Sequence, residues 1–154
     1  MRPMIPRVAA IHDLSGFGRS SLCNVLPILS TMGIQACPVP TAVLSTHSGG
    51  FDGYTFRGLA EDISDFIRHW RELGLEFDGI YSGFLGSPRQ VELVRELIHT
   101  FRTPDTWVVI DPVMGDGGQC SLSPSASRPV TAMSIRAGRV CCWNGSCRCC
   151  TQQR

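Results

Sequence analysis

The sequence predicts an α/β fold on a parallel sheet, and three observations carry the prediction. Short apolar runs alternate with stretches of helical period. Each run ends in a segment bearing glycine or acid. Residues 107–116, Trp-Val-Val-Ile-Asp-Pro-Val-Met-Gly-Asp, read as a buried strand opening into an acidic loop. Alternation of this kind implies right-handed crossovers, with helices on both faces of the sheet.

The elements follow in order. Val8–Ile11 is a short apolar run leading into a glycine-bearing loop, His12 to Arg19. Ser20 can cap a helix ending at Met32, with Gly33 as its stop and Pro27 predicting a kink or a late start. Ile34–Pro40 and Thr41–Leu44 lean to extended structure, and His47–Gly53 is a glycine-rich loop. Leu59, Ile63, Phe66, Ile67, Trp70 and Leu73 recur at helical spacing until Gly74. Asp78–Ser82 is strand-like. Ser87-Pro88-Arg89-Gln90 is a capping box with proline at the first helical position. Val91, Val94, Leu97, Ile98 and Phe101 form the buried stripe of that helix, and Trp107–Ile110 is the last strand.

Ligands of such sheets bind beyond the carboxyl ends of the strands. Four candidate loops fall there: His12–Arg19, Thr46–Gly53, Ser82–Ser87 and Asp111–Gly118.

Composition separates the chain into two parts. With 154 residues, 43% of them apolar, and a net charge of +1, the chain is long enough for one domain with one core. Residues 1–119 carry nine Arg against thirteen acids, a balance of −4, and residues 120–154 carry five Arg and no acid. Six of the eight cysteines lie from Cys120 onward, without helical or strand periodicity. The division expected is therefore residues 1–119 as half of a domain and 120–154 as a divergent, disordered tail. That tail reads like a frame-shifted or truncated product. A zinc module is the rival reading: the Cys142–Cys147 interval meets the paired C-x₂₋₄-C spacing, but Cys147–Cys149 misses it, and the segment has no apolar period to give such a site buried support.

No segment approaches the ~18–20 apolar residues of a membrane span, and the N-terminus has no signal core. Cys23 and Cys37 lie in apolar contexts, as buried thiols of a reducing cytosol do. A cytoplasmic protein without membrane or nucleic-acid partners is expected.

The first loop invites a dinucleotide reading and fails on detail. Ser21 stands where G-x-G-x-x-G needs its third glycine, and the chain has no lysine for a phosphate loop. A loop closing on a small polar ligand, with Asp13 or Ser15 as the hydrogen-bonding group, fits better than a dinucleotide site, although this loop taken alone reads first as a tight strand-to-helix turn that needs glycine for positive φ. Thr46-His47-Ser48-Gly49-Gly50 has the composition of a substrate lid, or of a solvated turn. Asp111 and Asp116 form the strongest pair, because Mg²⁺ held with nucleotide phosphates takes only one or two protein carboxylates. The alternative is a backbone-capping Asp111 and a turn residue at 116. His69 and His99 sit off their helices' apolar stripes and are expected to be exposed.

Together, four segments resemble the bacterial pyridoxal/pyridoxamine kinases. They are His12-Asp13-Leu14-Ser15-Gly16, Leu44-Ser45-Thr46-His47-Ser48-Gly49-Gly50, Tyr81-Ser82-Gly83-Phe84-Leu85-Gly86-Ser87 and Asp111-Pro112-Val113-Met114-Gly115-Asp116. That family is ribokinase-like and shares its layout with the hydroxymethylpyrimidine kinases. The resemblance covers residues 8–119 and implies an incomplete ribokinase-like parallel sheet.

The resemblance further implies ATP- and Mg²⁺-dependent phosphorylation of the 5′-hydroxymethyl group of a B6 vitamer, as in vitamin B6 salvage, by a homodimer when full-length. It places Asp13, Ser48 and Phe84 at the substrate, and Asp111 and Asp116 at Mg-ATP. Asp13 stands where many pyridoxal kinases have serine, and Asp13-x-Ser15-Gly16 is closer to the hydroxymethylpyrimidine kinases. A hydroxymethylpyrimidine kinase is thus the enzymatic alternative, and a non-catalytic folding or dimerisation remnant the other. The family's distal glycine-rich turn, ending in the general-base aspartate, has no counterpart here. No catalytic residue is assigned, and little kinase activity is expected.

Overall fold

The computed structural model describes residues 5–111 with their side chains, together with the backbone of residues 115–116, 119–120 and 140–141. Eleven elements follow one another: β1 (Arg7–Phe17), α1 (Leu22–Thr31), β2 (Gln35–Thr46), β3 (Phe56–Gly58), α2 (Ala60–Glu72), β4 (Gly79–Ser82), α3 (Pro88–Phe101), β5 (Trp107–Ile110), β6 (Gly115–Asp116), β7 (Gln119–Cys120) and β8 (Val140–Cys141). The sheet runs β3-β2-β1-β4-β5-β8, and β6 pairs with β7 in a separate two-stranded ladder.

β1, β2, β4 and β5 are mutually parallel, so their carboxyl ends share one edge. The first three predicted loops leave from that edge, and Asp111, the first residue of the fourth, stands there directly after β5. β3 departs from the expected all-parallel sheet, running antiparallel to β2 with Ala42 opposite Gly58. Its three residues, all exposed, are too few to show a strand period. The glycine-rich 47–53 segment turns the chain back so that β3 can pair with β2.

The first predicted loop begins later than expected. His12–Phe17 continues β1, because β2 is long enough, at 12 residues against 11, to pair with it as far as Phe17–Thr46. A side chain at Gly16 would bring its Cβ to 2.9 Å from the Ser45 carbonyl, so only glycine admits this close approach. The turn is made at Gly18, with φ +80°. Ser20 does not cap α1 as expected. The cap is Ser21, at φ 50°, which makes no side-chain cap hydrogen bond. α1 starts five residues ahead of Pro27, so the predicted late start does not occur; proline instead removes one donor from the helix interior.

α2 and α3 are closer to expectation. Ser87 caps α3 by accepting from the Gln90 amide at 3.3 Å, with Pro88 at its first turn. Gln90, however, does not close the box onto Ser87. Its Oε1 accepts from the Gly86 amide at 2.7 Å and its Nε2 donates to the Thr41 carbonyl at 2.5 Å. A buried glutamine thereby ties the loop after β4 to β2, and the Thr41 hydroxyl adds a bond to the Phe84 carbonyl at 3.0 Å.

One face of the sheet, with Ala9, Ile11, Val39, Ile80 and Val108, packs on Ile63 and Ile67 of α2 and Leu93, Val94, Leu97, Ile98 and Phe101 of α3. Trp70, Phe77 and Phe101 meet edge-on or tilted at its base, with centroids 5.2–6.4 Å apart. α1 lies on the other face, where Leu22 and Leu26 line a groove with Leu14 and Pro38. His69 and His99 are exposed, while Cys23 and Cys37 are half-buried rather than fully buried.

β8 extends the sheet beside β5, pairing Val108 with Val140 and Val109 with Cys141. The remainder of the expected 120–154 tail, including the Cys142–Cys150 cluster, lies outside the described residues.

Candidate functional site

From β1 the chain passes to β2 on one side, while β4 and β5 lie on the other. The order reverses between β1 and β4, and the edge at the carboxyl ends of the strands at such a point is where doubly wound sheets take their ligands. β1 brings His12, Asp13 and Ser15 to it, β4 brings Tyr81 and Ser82, and Asp111 follows β5. The ladder extends one bond past β5, since the Asp111 amide donates to the Ser82 carbonyl at 2.8 Å.

Strand register decides which face each side chain takes. Ala10, Tyr81 and Val109 stand side by side across β1, β4 and β5. Two residues further, His12 and Asp111 therefore project from the same face as Tyr81. Ile11, Ser82 and Ile110 stand side by side on the opposite face.

His12 is only 4% exposed. Its ring meets Tyr81 edge-on, with centroids 4.4 Å apart and planes at 69°. It also lies so close over Gly83 that any Cβ there would collide with Nδ1. Desolvation lowers the His12 pKa from 6.5 to about 4, against the opposing pull of the Asp13 and Asp111 carboxylates. His12 Nε2 and Ser82 Oγ are buried without a hydrogen-bond partner. Such atoms normally find a water or a ligand.

Asp13 is buried and reached by the Ser15 hydroxyl at 3.4 Å, while Ser15 and Ser20 share a hydrogen bond of 3.1 Å. Burial raises the Tyr81 pKa, and so does Asp111, both by its charge and as the acceptor of the phenol's hydrogen bond.

Asp13 and Asp111 thus stand at one edge of the sheet, Asp111 on the face of His12 and Asp13 alternating with His12 along β1. Phe84 is half-buried just beyond β4, tied through its carbonyl to Thr41. Ser48 is exposed, in a loop held by the His47 imidazole: Nδ1 lies 3.1 Å from the Gly49 amide. Asp116 is in β6, paired with Gln119, and its side chain lies outside those described. Reading the residues one by one gave no site role to His12, Tyr81 or Ser82, and took Gln90 for part of a capping box. Only for His12 was a signal present, a histidine ending an apolar run directly before an aspartate.

The His12 shift has a consequence for stability. Between about pH 4 and 6.5 the unfolded chain binds a proton at this histidine and the folded chain does not, so stability falls as pH falls through that window. The full effect is about 3 kcal/mol, at about 1.36 kcal/mol for each pKa unit. Urea titrations of wild type and His12→Gln at pH 7 and pH 4.5 should show a much smaller pH dependence in the variant. An equal dependence in both would refute this assignment.

No protein-family model matches the chain. Curated relatives include the pyridoxal kinases of Burkholderia lata, 31% identical over 112 residues (70% of this chain, 38% of theirs), and Paraburkholderia xenovorans, 26% identical over 128 residues (79% and 43%). The chain therefore spans about two fifths of the length of these relatives. Among solved structures, a Bacteroides thetaiotaomicron protein designated a phosphomethylpyrimidine kinase is 48% identical with a TM-score of 0.75, over 79% of this chain and 42% of that one. A second crystal form of that protein, with pyridoxal, is 50% identical with a TM-score of 0.73, over 75% and 40%. Pyridoxal kinase from Lactobacillus plantarum is 28% identical with a TM-score of 0.69, over 77% and 41%.

Proposed function

We propose that this chain, which belongs to the ribokinase-like kinases of B6 vitamers and hydroxymethylpyrimidines, carries the ring-binding and cation-binding end of a kinase that phosphorylates the 5′-hydroxymethyl group of a B6 vitamer. The observation that carries this reading is the placement of Asp13, past the last β1–β4 pair of Ile11 with Ser82, and of Asp111, directly after β5, at the same edge of the parallel sheet. The pyridoxal in the crystal of the 50%-identical protein favours a vitamer over a pyrimidine.

In this reading Asp13, steadied by Ser15, accepts a hydrogen bond from a polar group of the heteroaromatic ring. Phe84 covers the ring, and Ser48 closes over it from its mobile-composition loop. Asp111 and Asp116 hold Mg²⁺ with the nucleotide phosphates. Among the described residues no three His, Cys, Asp or Glu side chains converge on a metal-sized site. A carboxylate just past a strand end, on the face that also carries the unpartnered His12 Nε2, fits a cation carried in with phosphate. Mg²⁺ bound with ATP would supply charge neutralisation for the transferring phosphoryl group.

A homodimer suits the exposed apolar arm formed by β1, β2, β3 and the loop between the last two, where Phe17, Val43, Phe51, Tyr54 and Phe56 face solvent. Among the described residues no helix is long and apolar enough to cross a membrane.

Isothermal titration of the 154-residue protein with pyridoxal, pyridoxamine and hydroxymethylpyrimidine tests the reading. Pyridoxal or pyridoxamine should bind, Asp13→Asn should weaken that binding by about 10–100-fold, the loss of a hydrogen bond to a charged group, and Asp111→Asn should leave it unchanged. Preference for the pyrimidine would move the assignment to the thiamine-pathway kinase. Binding of none of the three would favour the remnant.

A further inference from the structure

We infer that Thr41 and Gln90 are positioning residues: they clamp the loop after β4 onto β2 opposite Asp13, and so set the gap between Asp13 and Phe84 in which a ring is gripped. The second half of this inference rests on the proposed function; the clamp itself does not.

The clamp starts from an irregularity in the sheet. β1 and β2 pair in step as far as His12 with Pro40, and the next pair is Leu14 with Val43. Asp13 alone therefore faces two residues of β2, Thr41 and Ala42. An extra residue of this kind breaks the regular ladder and bends its strand locally. Thr41 is fully buried. Its carbonyl accepts from the Leu59 amide at 2.9 Å and from Gln90 Nε2 at 2.5 Å, which occupies both lone pairs. Its hydroxyl donates to the Phe84 carbonyl at 3.0 Å.

Gln90 carries the same constraint further along the loop. It is 1% exposed, and its Oε1 accepts from the Gly86 amide at 2.7 Å. A Cβ at Gly86 would stand 3.5 Å from Phe84 Cε1 and 3.1 Å from Phe56 Cζ, so both rings lie against the Gly86 backbone. At the start of the loop the Gly83 amide donates to the Ile11 carbonyl at 2.9 Å. The loop is thus tied to β1 at Gly83, and to the residue facing Asp13 at Phe84 and Gly86. Helix capping does not require the glutamine side chain, since Ser87 accepts from the Gln90 backbone amide. A buried network with every group satisfied adds rigidity more than net stability. Rigidity is what a binding site needs, because its groups must be held to within about 0.5 Å.

Amide hydrogen exchange of the ligand-free protein reads the clamp. Gln90→Met keeps the length of the side chain and loses its amide. It should speed exchange at Gly86 about 10-fold, the equivalent of one hydrogen bond, while the α3 amides keep their protection. Unchanged exchange at Gly86 overturns the inference.

Calorimetry with pyridoxal then reads the gap. Thr41→Val keeps the shape of the side chain and removes the hydroxyl, and should weaken pyridoxal about 10-fold per folded molecule. Thr41→Ser should restore the affinity. In a Phe84→Ala background Thr41→Val should cost nothing more, because the hydroxyl acts through Phe84. Gln90→Met should follow the same pattern and serves where Thr41→Val does not fold. A lower urea midpoint with unchanged affinity would mark the pair as merely structural and overturn the positioning, as would a loss that persists in full beside Phe84→Ala. Wild-type protein that binds no pyridoxal while Gly86 exchange behaves as expected defeats the ring contacts proposed for Asp13 and Phe84, and with them the second half of the inference.

Discussion

Phe77→Ala should destabilise the fold by about 3–5 kcal/mol, the range for truncating a buried aromatic. Phe77 is 4% exposed and meets both Trp70 and Phe101, at 5.2 and 5.4 Å between centroids. Each such pair adds about 0.5–1.5 kcal/mol beyond the area it buries. A cavity here would open between α2, α3 and the amino-terminal end of β4. The surrounding groups are poorly placed to collapse into it, since the Phe77 carbonyl is held by the Thr106 hydroxyl at 3.0 Å. Against the ~5–15 kcal/mol of an ordinary domain, the loss is a large fraction. It should appear as a lower urea midpoint with little change in slope. Because the proposed site lies at the opposite end of the strands, ligand affinity per folded molecule should be unchanged. Asp13→Asn should show the converse, weaker binding at near-normal stability. A stability loss below about 1 kcal/mol would mean that the base of the core is looser than its contacts indicate.

The two variants also separate what the sequence makes legible from what it does not. Local signals carried α2, α3 and β5. The α2 stripe repeats at helical spacing, Ser87-Pro88 marks a helix start by its own chemistry, and Trp107–Ile110 is a strand in the structure with the same bounds. The four-loop edge followed from alternation alone, because parallel strands must all end on the same side.

Non-local partners decided the rest. β1 runs on to Phe17 only because β2 is there to pair with it, and nothing within His12–Phe17 announces that. β3 exists through its pairing with β2. Gln90 looks like half of a capping box, yet its amide is spent on Gly86 and Thr41, the latter 49 positions away. The same limit hid His12 and Tyr81. Asp13 and Asp111 could be proposed as members of one site because carboxylates at strand ends have few structural uses. A tyrosine inside a strand has many, and only the register of three strands shows that it lies between His12 and Asp111.

The 154-residue polypeptide should turn over pyridoxal with ATP and Mg²⁺ at least about 10⁴-fold more slowly than an ordinary enzyme. Phosphoryl transfer relies on positioning and on stabilising charge spread over the phosphate oxygens, so its parts must be present together. The ring-binding and cation-binding ends have candidates in Asp13, Phe84 and Asp111. The resemblance places the general base on a glycine-rich turn at a helix amino terminus, whose amides bind the developing anion. No Gly-x-Gly-Asp turn occurs in these 154 residues. General-base catalysis contributes about 10²–10⁴-fold, and one anion-binding donor about 10²–10³-fold. Since such contributions are not additive, the smaller product, about 10⁴-fold, is the safer expectation. With ordinary turnover at about 1–10³ s⁻¹, the polypeptide should fall near or below the detection limit of a coupled steady-state assay, even at saturating pyridoxal. The expectation is specific to catalysis and leaves binding intact. A protein that binds pyridoxal by calorimetry yet fails to phosphorylate it is the predicted phenotype, because the residues proposed to recognise the ring and those that would move its proton lie on different parts of the family's fold. Turnover on the order of 1 s⁻¹ would require a proton acceptor within these 154 residues. Asp13 would be the first to examine, as the buried carboxylate at the carboxyl edge of the sheet.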